Sequence, residues 1–78
     1  MYVCPVCGFP DLEEPPAMFS ICSCCGTEFE LDDAFLTHGQ LRERWLRAGA
    51  LWWSPRDKPP DGWDPYAQVD NVIASIPI

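Results

Sequence analysis

Basic residues are scarce in this chain of 78 residues, and its first 33 positions contain none. Five lysine and arginine residues stand against twelve aspartate and glutamate residues, which gives a formal net charge of -7. All five basic residues lie between Arg42 and Lys58. Because nucleic-acid binding normally requires a basic face, this balance disfavours a nucleic-acid partner.

Long apolar runs and catalytic residue types are scarce as well. No apolar run approaches the roughly 18 residues that a membrane span needs. The start of the chain, Met1–Cys7, has neither the basic nor the apolar segment of a secretion signal, so we expect a cytoplasmic protein. One histidine and one lysine leave little for acid–base chemistry. We therefore expect a protein that is not an enzyme.

Cysteine, in contrast, is abundant. A chain of this length has room for one domain, residues 1–78, and such a small domain usually needs a disulfide or a metal to be stable. An odd number of cysteines cannot all pair within one chain, and in a reducing compartment regularly spaced thiols more often bind metal than form disulfides. The five cysteines are Cys4, Cys7, Cys22, Cys24 and Cys25.

Four of these cysteines form two matching pairs, Cys4-x-x-Cys7-Gly8 and Cys22-x-x-Cys25-Gly26. Two cysteines three positions apart on a tight turn can place both sulfurs about 2.3 Å from one ion. The glycine after each pair permits the positive φ that the end of such a turn requires. The spacing therefore predicts one tetrahedral site with Cys4, Cys7, Cys22 and Cys25 as ligands. Zinc is the expected metal, with iron as the alternative, because both accept four thiolates.

Three other interpretations concern single residues or one pair. A reactive dithiol at Cys4 and Cys7 would need a helix start after a strand, and only three residues precede Cys4. Cys24 occupies the place that Val6 has in the first pair, so we expect it to be a packed residue that is not a ligand. The alternative is that its sulfur replaces Cys25 as a ligand or senses oxidants. We expect His38 to be solvated or hydrogen-bonded, with metal ligation as its alternative.

The pattern of the first 33 residues indicates a small α+β fold. Residues 18–21 and 27–31 alternate polar and apolar side chains, which is typical of half-buried strands. The interpretation is a zinc ribbon, a rubredoxin-like unit of two β-hairpins with a cysteine turn in each, over residues 1–33. Residues 34–78 are then a tryptophan-rich helical extension packed on it.

Two helices are predicted in the extension. Thr37 and Gln40 fit a capping box at a helix start, Leu41, Trp45 and Ala48 form its apolar stripe, and Gly49 ends it. Asp64 and Pro65 begin the second helix, whose predicted buried face is Tyr66, Val69, Val72, Ile73 and Ile76, before Pro77.

Two resemblances follow from these motifs. The stretch YVCPVCGF resembles the first cysteine turn of rubredoxins, which implies one iron in four cysteines and electron transfer. Over most of the chain, the order CPVCGFPDLEEPP, ICSCCGTEFELDD, LRERWLRAG, LWWS and PPDGWDPYAQVDNV is similar to small bacterial cysteine-rich proteins of the CPCC type. That resemblance implies a metal-binding unit with helices and no established activity.

Aromatic and arginine residues suggest where a partner would bind. Trp45, Trp52, Trp53 and Trp63 are expected to form a second small core, with Trp52 or Trp53 left exposed because neighbours in an extended run face opposite ways. Arg42, Arg44 and Arg47 are expected to form a solvated helix face. The predicted function is a zinc-binding interaction module that contacts another protein through aromatic and acidic surfaces. The alternatives are an iron electron carrier and a nucleic-acid-binding zinc ribbon.

Overall fold

The computed structural model describes residues 1–73, with the backbone alone at Ile73. Its regular elements are a short 3₁₀ helix, Asp32–Ala34, and two α-helices, α1 at His38–Arg47 and α2 at Pro65–Ile73. Neither helix in this part of the chain is long and apolar enough to cross a membrane.

The prediction of a β-hairpin zinc ribbon is wrong. Residues 1–73 contain no strand and no sheet; antiparallel pairing is limited to two isolated bridges, Tyr2 with Leu12 and Ile21 with Glu28. The predicted α+β class therefore becomes a fold of helices and irregular segments.

The backbone itself explains why the pairing does not extend into strands. Met18 and Phe19 have φ values of 55° and 61°, and Glu30 has a φ of 70°, so both predicted strands leave the extended region. Pro10 lacks the amide hydrogen that a longer ladder beside the first turn would use. Alternating hydrophobicity in residues 18–21 and 27–31 thus does not correspond to strand geometry here.

Helix α1 begins and ends as predicted. The Thr37 hydroxyl accepts a hydrogen bond from the Gln40 amide at 3.1 Å, and the Gln40 side chain accepts one from the Thr37 amide at 2.9 Å, which completes the capping box. Gly49 follows the helix with a φ of 105°. Leu41 and Trp45 are buried, whereas Ala48 is exposed, because it caps the helix after its last turn.

Helix α2 also begins where the sequence indicated. The Asp64 carboxylate accepts hydrogen bonds from the Tyr66 and Ala67 amides at 3.0 and 3.2 Å. Val69 and Val72 are buried as predicted, but Tyr66 is 60% exposed. The Ile73 side chain, Ile76 and Pro77 lie outside the described residues.

The core is built around the cysteines. Cys4, Val6, Cys7, Cys22 and Cys24 have no solvent-exposed surface, and Phe29, Leu41 and Trp45 pack in the same cluster. A second group of aromatic rings lies against this core: Trp52 contacts Phe9 and Trp63 edge-on, with ring centroids 5.4 and 5.3 Å apart. Trp53 is 52% exposed, in agreement with the expectation that one of the two adjacent tryptophans faces solvent.

Candidate metal centre

The two cysteine turns have the same backbone hydrogen bonds. In the first turn, the Gly8 amide donates to the Cys4 carbonyl and the Cys4 amide to the Phe9 carbonyl, at 2.9 and 2.8 Å. In the second turn the Gly26 amide donates to the Cys22 carbonyl at 2.8 Å, and the Cys22 amide donates to the carbonyl of the residue after Gly26 at 3.0 Å. The two sequence repeats therefore fold alike.

These turns bring four sulfurs together. The Sγ atoms of Cys4, Cys7, Cys22 and Cys25 all lie within 4.8 Å of one another. Each close pair joins the two turns: Cys4 to Cys25 at 3.9 Å and Cys7 to Cys22 at 3.7 Å. A disulfide would require about 2.05 Å between sulfurs, so all of these cysteines are free thiols.

The spacing of the sulfurs fits a metal ion. A tetrahedral site with metal–sulfur distances of about 2.3 Å has edges of about 3.8 Å between sulfurs. The Cys7–Cys22 and Cys4–Cys25 distances, 3.7 and 3.9 Å, bracket that value. Soft thiolate donors in this arrangement suit zinc or iron.

The thiols influence one another strongly. Hydrogen bonding with Cys22 raises the pKa of Cys7, and hydrogen bonding with Cys25 raises the pKa of Cys22. Hydrogen bonds from Cys22 and Cys4 lower the pKa of Cys25. Four thiolates at these distances need a positive charge between them.

Exposure and polar contacts distinguish Cys25 from the other three ligand candidates. Cys4, Cys7 and Cys22 are fully buried, whereas Cys25 is partly exposed. The Thr27 hydroxyl lies 3.3 Å from the Cys25 sulfur. Cys25 is therefore the corner of the cluster nearest to solvent.

Cys24 lies outside the group of four sulfurs, as expected for the residue equivalent to Val6. It is fully buried, and its sulfur accepts a hydrogen bond from the Gln68 side-chain amide at 3.3 Å. Hydrogen bonding with Cys7 lowers the pKa of Cys24 despite its burial. The fifth cysteine thus packs beside the cluster and links it to α2.

His38 does not belong to the group of side chains that are close enough to share a metal ion. Its Nε2 atom lies 3.0 Å from the Asp33 carboxylate, and its ring packs edge-on against Phe29. The hydrogen bond with His38 lowers the pKa of Asp33. This pair joins the start of α1 to the 3₁₀ helix.

Helix α1 supports the first cysteine turn through Arg42. Its guanidinium group donates to the Val6 carbonyl and to the Pro5 carbonyl, both at 2.8 Å. The expectation that Arg42 belongs to a solvated face is therefore wrong, whereas Arg44 and Arg47 are exposed and Arg47 pairs with Glu43 at 2.7 Å. One of the three arginines of the proposed basic face thus points inward, toward the first turn.

Helix α2 supports the same turn through two side-chain amides. Gln68 is buried and donates to the Cys7 carbonyl at 3.1 Å, while its own carbonyl accepts from the Trp63 indole at 2.8 Å. Asn71 donates to the Gly8 carbonyl at 3.0 Å. These contacts place α2 directly against Gly8, where a Cβ atom would overlap the Gln68 carbonyl.

Backbone amides supply much of the support of the second turn, in addition to the contact of α2 with the Cys24 sulfur. The Trp53 amide donates to the Cys24 carbonyl and the Ser54 amide to the Ser23 carbonyl, both at 2.9 Å. The Trp53 ring covers Gly26 so closely that a Cβ atom there would overlap it. This overlap is a second reason for glycine at position 26, in addition to the φ of 77° at that residue.

Sequence reasoning missed the residues that hold the turns in place. Arg42, Gln68 and Asn71 are polar and lie on helices, and their spacing along each helix does not reveal that they face carbonyl groups of a distant turn. Gln68 was recognisable in one respect: it lies beside Val69 on α2, adjacent to the predicted buried face.

Comparisons of this chain with family models, with curated proteins and with solved structures found no match. The interpretation of the site therefore depends on its own geometry.

Proposed function

We propose that Cys4, Cys7, Cys22 and Cys25 bind one zinc ion, and that this ion has a structural role in a protein that is not an enzyme. The observation that carries the proposal is the convergence of four sulfurs from two separate turns at tetrahedral spacing. Four protein thiolates complete the coordination of zinc and leave no position for a water molecule or a substrate. The site is thus suited to stabilising a fold and not to Lewis-acid catalysis.

The position of the cluster in the core supports a structural role. Three of the four ligands are fully buried, and the residues that pack on them come from both turns and from α1 and α2. No sheet stabilises residues 1–73, so much of the tertiary structure depends on this centre. In small domains of this kind, metal affinity becomes folding free energy.

The proposed biological role is that of an interaction module which contacts another protein. Apolar side chains remain exposed in a strongly acidic part of the chain, including Met18 and Phe19 at 82% and 61% exposure. Left-handed backbone at these two residues holds them outward at a conformational cost. Burial of these two apolar side chains by a partner would offset that cost.

Metal content is the decisive measurement. Protein purified under reducing conditions should contain one zinc per chain by elemental analysis and should be colourless. Cobalt substitution should give the visible absorption bands of a tetrahedral thiolate complex. A red, iron-containing protein would instead favour the electron-carrier alternative.

Serine variants test the ligand assignment. The double variant Cys4→Ser/Cys7→Ser should bind no zinc and should lack the near-ultraviolet circular dichroism of packed tryptophans. Cys24→Ser is the matched control, because Cys24 is equally buried and lies outside the cluster, and it should retain one zinc. A folded, metal-free double variant would show that the metal has no structural role.

A further inference from the structure

A cleft of about 430 Å³ lies on the acidic side of the molecule. Three segments form it: residues 9–14 after the first cysteine turn, residues 20–23 at the second turn, and residues 52–60. Its volume is within the range of small-ligand sites. The first two segments follow or contain the cysteine turns, so the cleft depends on the same four-sulfur centre.

One wall of the cleft is aromatic and has a fixed orientation. Trp52 and Phe9 line it, with their rings in edge-on contact. The Trp52 indole donates a hydrogen bond to the Asp57 backbone carbonyl at 2.7 Å. Trp52 is partly exposed, and an aromatic ring held in place is suited to contact with a planar cation.

The charges around the cleft are mainly negative. Asp11, Glu13, Glu14 and Asp57 contribute four carboxylates, and Lys58 is the only basic residue among the lining residues. Within residues 1–73, the carboxylates of Asp11, Glu13 and Glu14 form no hydrogen bond and no ion pair. Asp57 accepts a hydrogen bond from the Ser23 hydroxyl at 3.0 Å, which fixes its carboxylate at the rim.

The arrangement of these carboxylates does not suit a single metal ion. In the described part of the chain, the four thiols are the one group of acidic, histidine or cysteine side chains close enough to share an ion. The cleft carboxylates are spread over two of its three segments. Separated charges along an aromatic wall fit an extended ligand that carries several positive charges, and they repel phosphate groups.

We propose that this cleft binds an arginine-containing basic segment of a partner protein, with a guanidinium group against Trp52 and further cations beside Glu13 and Glu14. Guanidinium combines a planar face for the aromatic ring with donors for carboxylates. The inference rests on the proposed interaction role and specifies the chemistry of the partner's surface as a basic, arginine-containing segment.

The test is a titration of the 78-residue, zinc-containing protein with a fluorescein-labelled peptide of alternating arginine and glycine. We expect saturable binding, quenching of tryptophan fluorescence, and weaker binding when salt is raised from about 50 to about 500 mM, because exposed charges are screened. The same peptide with glutamate in place of arginine should not bind.

Two charge-matched double variants locate the site. Glu13→Gln/Glu14→Gln should weaken peptide binding about tenfold, the size expected for the loss of two exposed ion pairs. Glu43→Gln/Asp70→Asn removes the same charge outside the cleft lining and should leave the affinity within about twofold, because distant exposed charges are screened. Equal weakening by both variants would show attraction by net charge alone and would overturn the proposal.

Two further results would also overturn it. One is the absence of peptide binding to the unsubstituted protein at low salt. The other is equally tight binding of spermidine at the same carboxylates, which would indicate a site for small polycations. Zinc content and circular dichroism, measured on every sample, separate these failures from failure of the metal proposal, since a folded one-zinc protein without peptide affinity refutes only the cleft.

Discussion

The contact between α2 and the first cysteine turn can be tested by replacing three glycines with alanine. Gly8, Gly26 and Gly62 have similar φ values, 84°, 77° and 72°. They differ in what an added Cβ atom would meet: the Gln68 backbone carbonyl at Gly8, the Trp53 ring at Gly26, and nothing within 4 Å at Gly62. The series therefore separates the conformational cost of alanine from the cost of overlap.

The expected losses of stability follow from these surroundings. A left-handed conformation costs alanine about 1–2 kcal/mol, and this is the whole effect expected for Gly62→Ala. At Gly8 the obstacle is helix backbone, so an overpacking cost of about 1–3 kcal/mol is added, giving about 2–5 kcal/mol in total. Gly26→Ala should fall between the two, because the obstacle there is the half-exposed Trp53 side chain and not helix backbone.

The assay is unfolding by guanidinium chloride, followed by tryptophan fluorescence in a buffer that holds free zinc constant. Fixed zinc activity is needed because bound metal shifts apparent stability by mass action. The comparison uses the free energy of unfolding from linear extrapolation. If Gly8→Ala lost no more stability than Gly62→Ala, close packing of α2 on the first turn would be refuted.

Three other substitutions test the supports of the centre, measured in the same unfolding assay. Arg42→Met removes two charge-assisted hydrogen bonds to carbonyl groups and should lower the free energy of unfolding by about 2–4 kcal/mol. Arg47→Met, at an exposed ion pair, is the control and should lower it by less than about 1 kcal/mol. Similar losses in the two variants would contradict the anchoring role of Arg42. Gln68→Leu leaves a buried carbonyl and an indole N–H without partners and should lower the free energy of unfolding by about 2 kcal/mol or more. An unchanged free energy would show that these contacts do not contribute to stability. Asp64→Ala removes the cap of α2 and should lower the free energy of unfolding by about 1 kcal/mol. An unchanged free energy would show that Asp64 does not stabilise the helix.

Local features of the sequence were the most predictable. The capping box of α1, the aspartate cap of α2 and the glycine after α1 depend on neighbours within four residues, so short sequence patterns specify them. The grouping of Cys4, Cys7, Cys22 and Cys25 joins residues that are distant in the chain. It was predictable because two matching turns each present a pair of sulfurs that one metal ion can join. Which metal they bind stays a prediction.

Apart from this grouping, features that depend on distant contacts were not predictable. The strands failed because residues 18–19 and 30 leave the extended region, which alternating hydrophobicity does not reveal. Arg42 lies on the polar side of α1 by pattern, yet it binds carbonyl groups 36 and 37 positions earlier in the chain. Such a contact depends on where the helix packs, and no local propensity encodes that position.

The unequal support of the two cysteine turns has a consequence for which substitutions related chains could accept. The first turn is held by particular side chains, at positions 42, 68 and 71, so a change at any of these removes a donor. The second turn also receives main-chain donors, the amides of residues 53 and 54, which every residue except proline supplies. Drift in sequence should therefore be more rapid at position 53 than at 42 and 68. At position 54 the hydroxyl accepts from the amides of residues 56 and 57, which favours serine there.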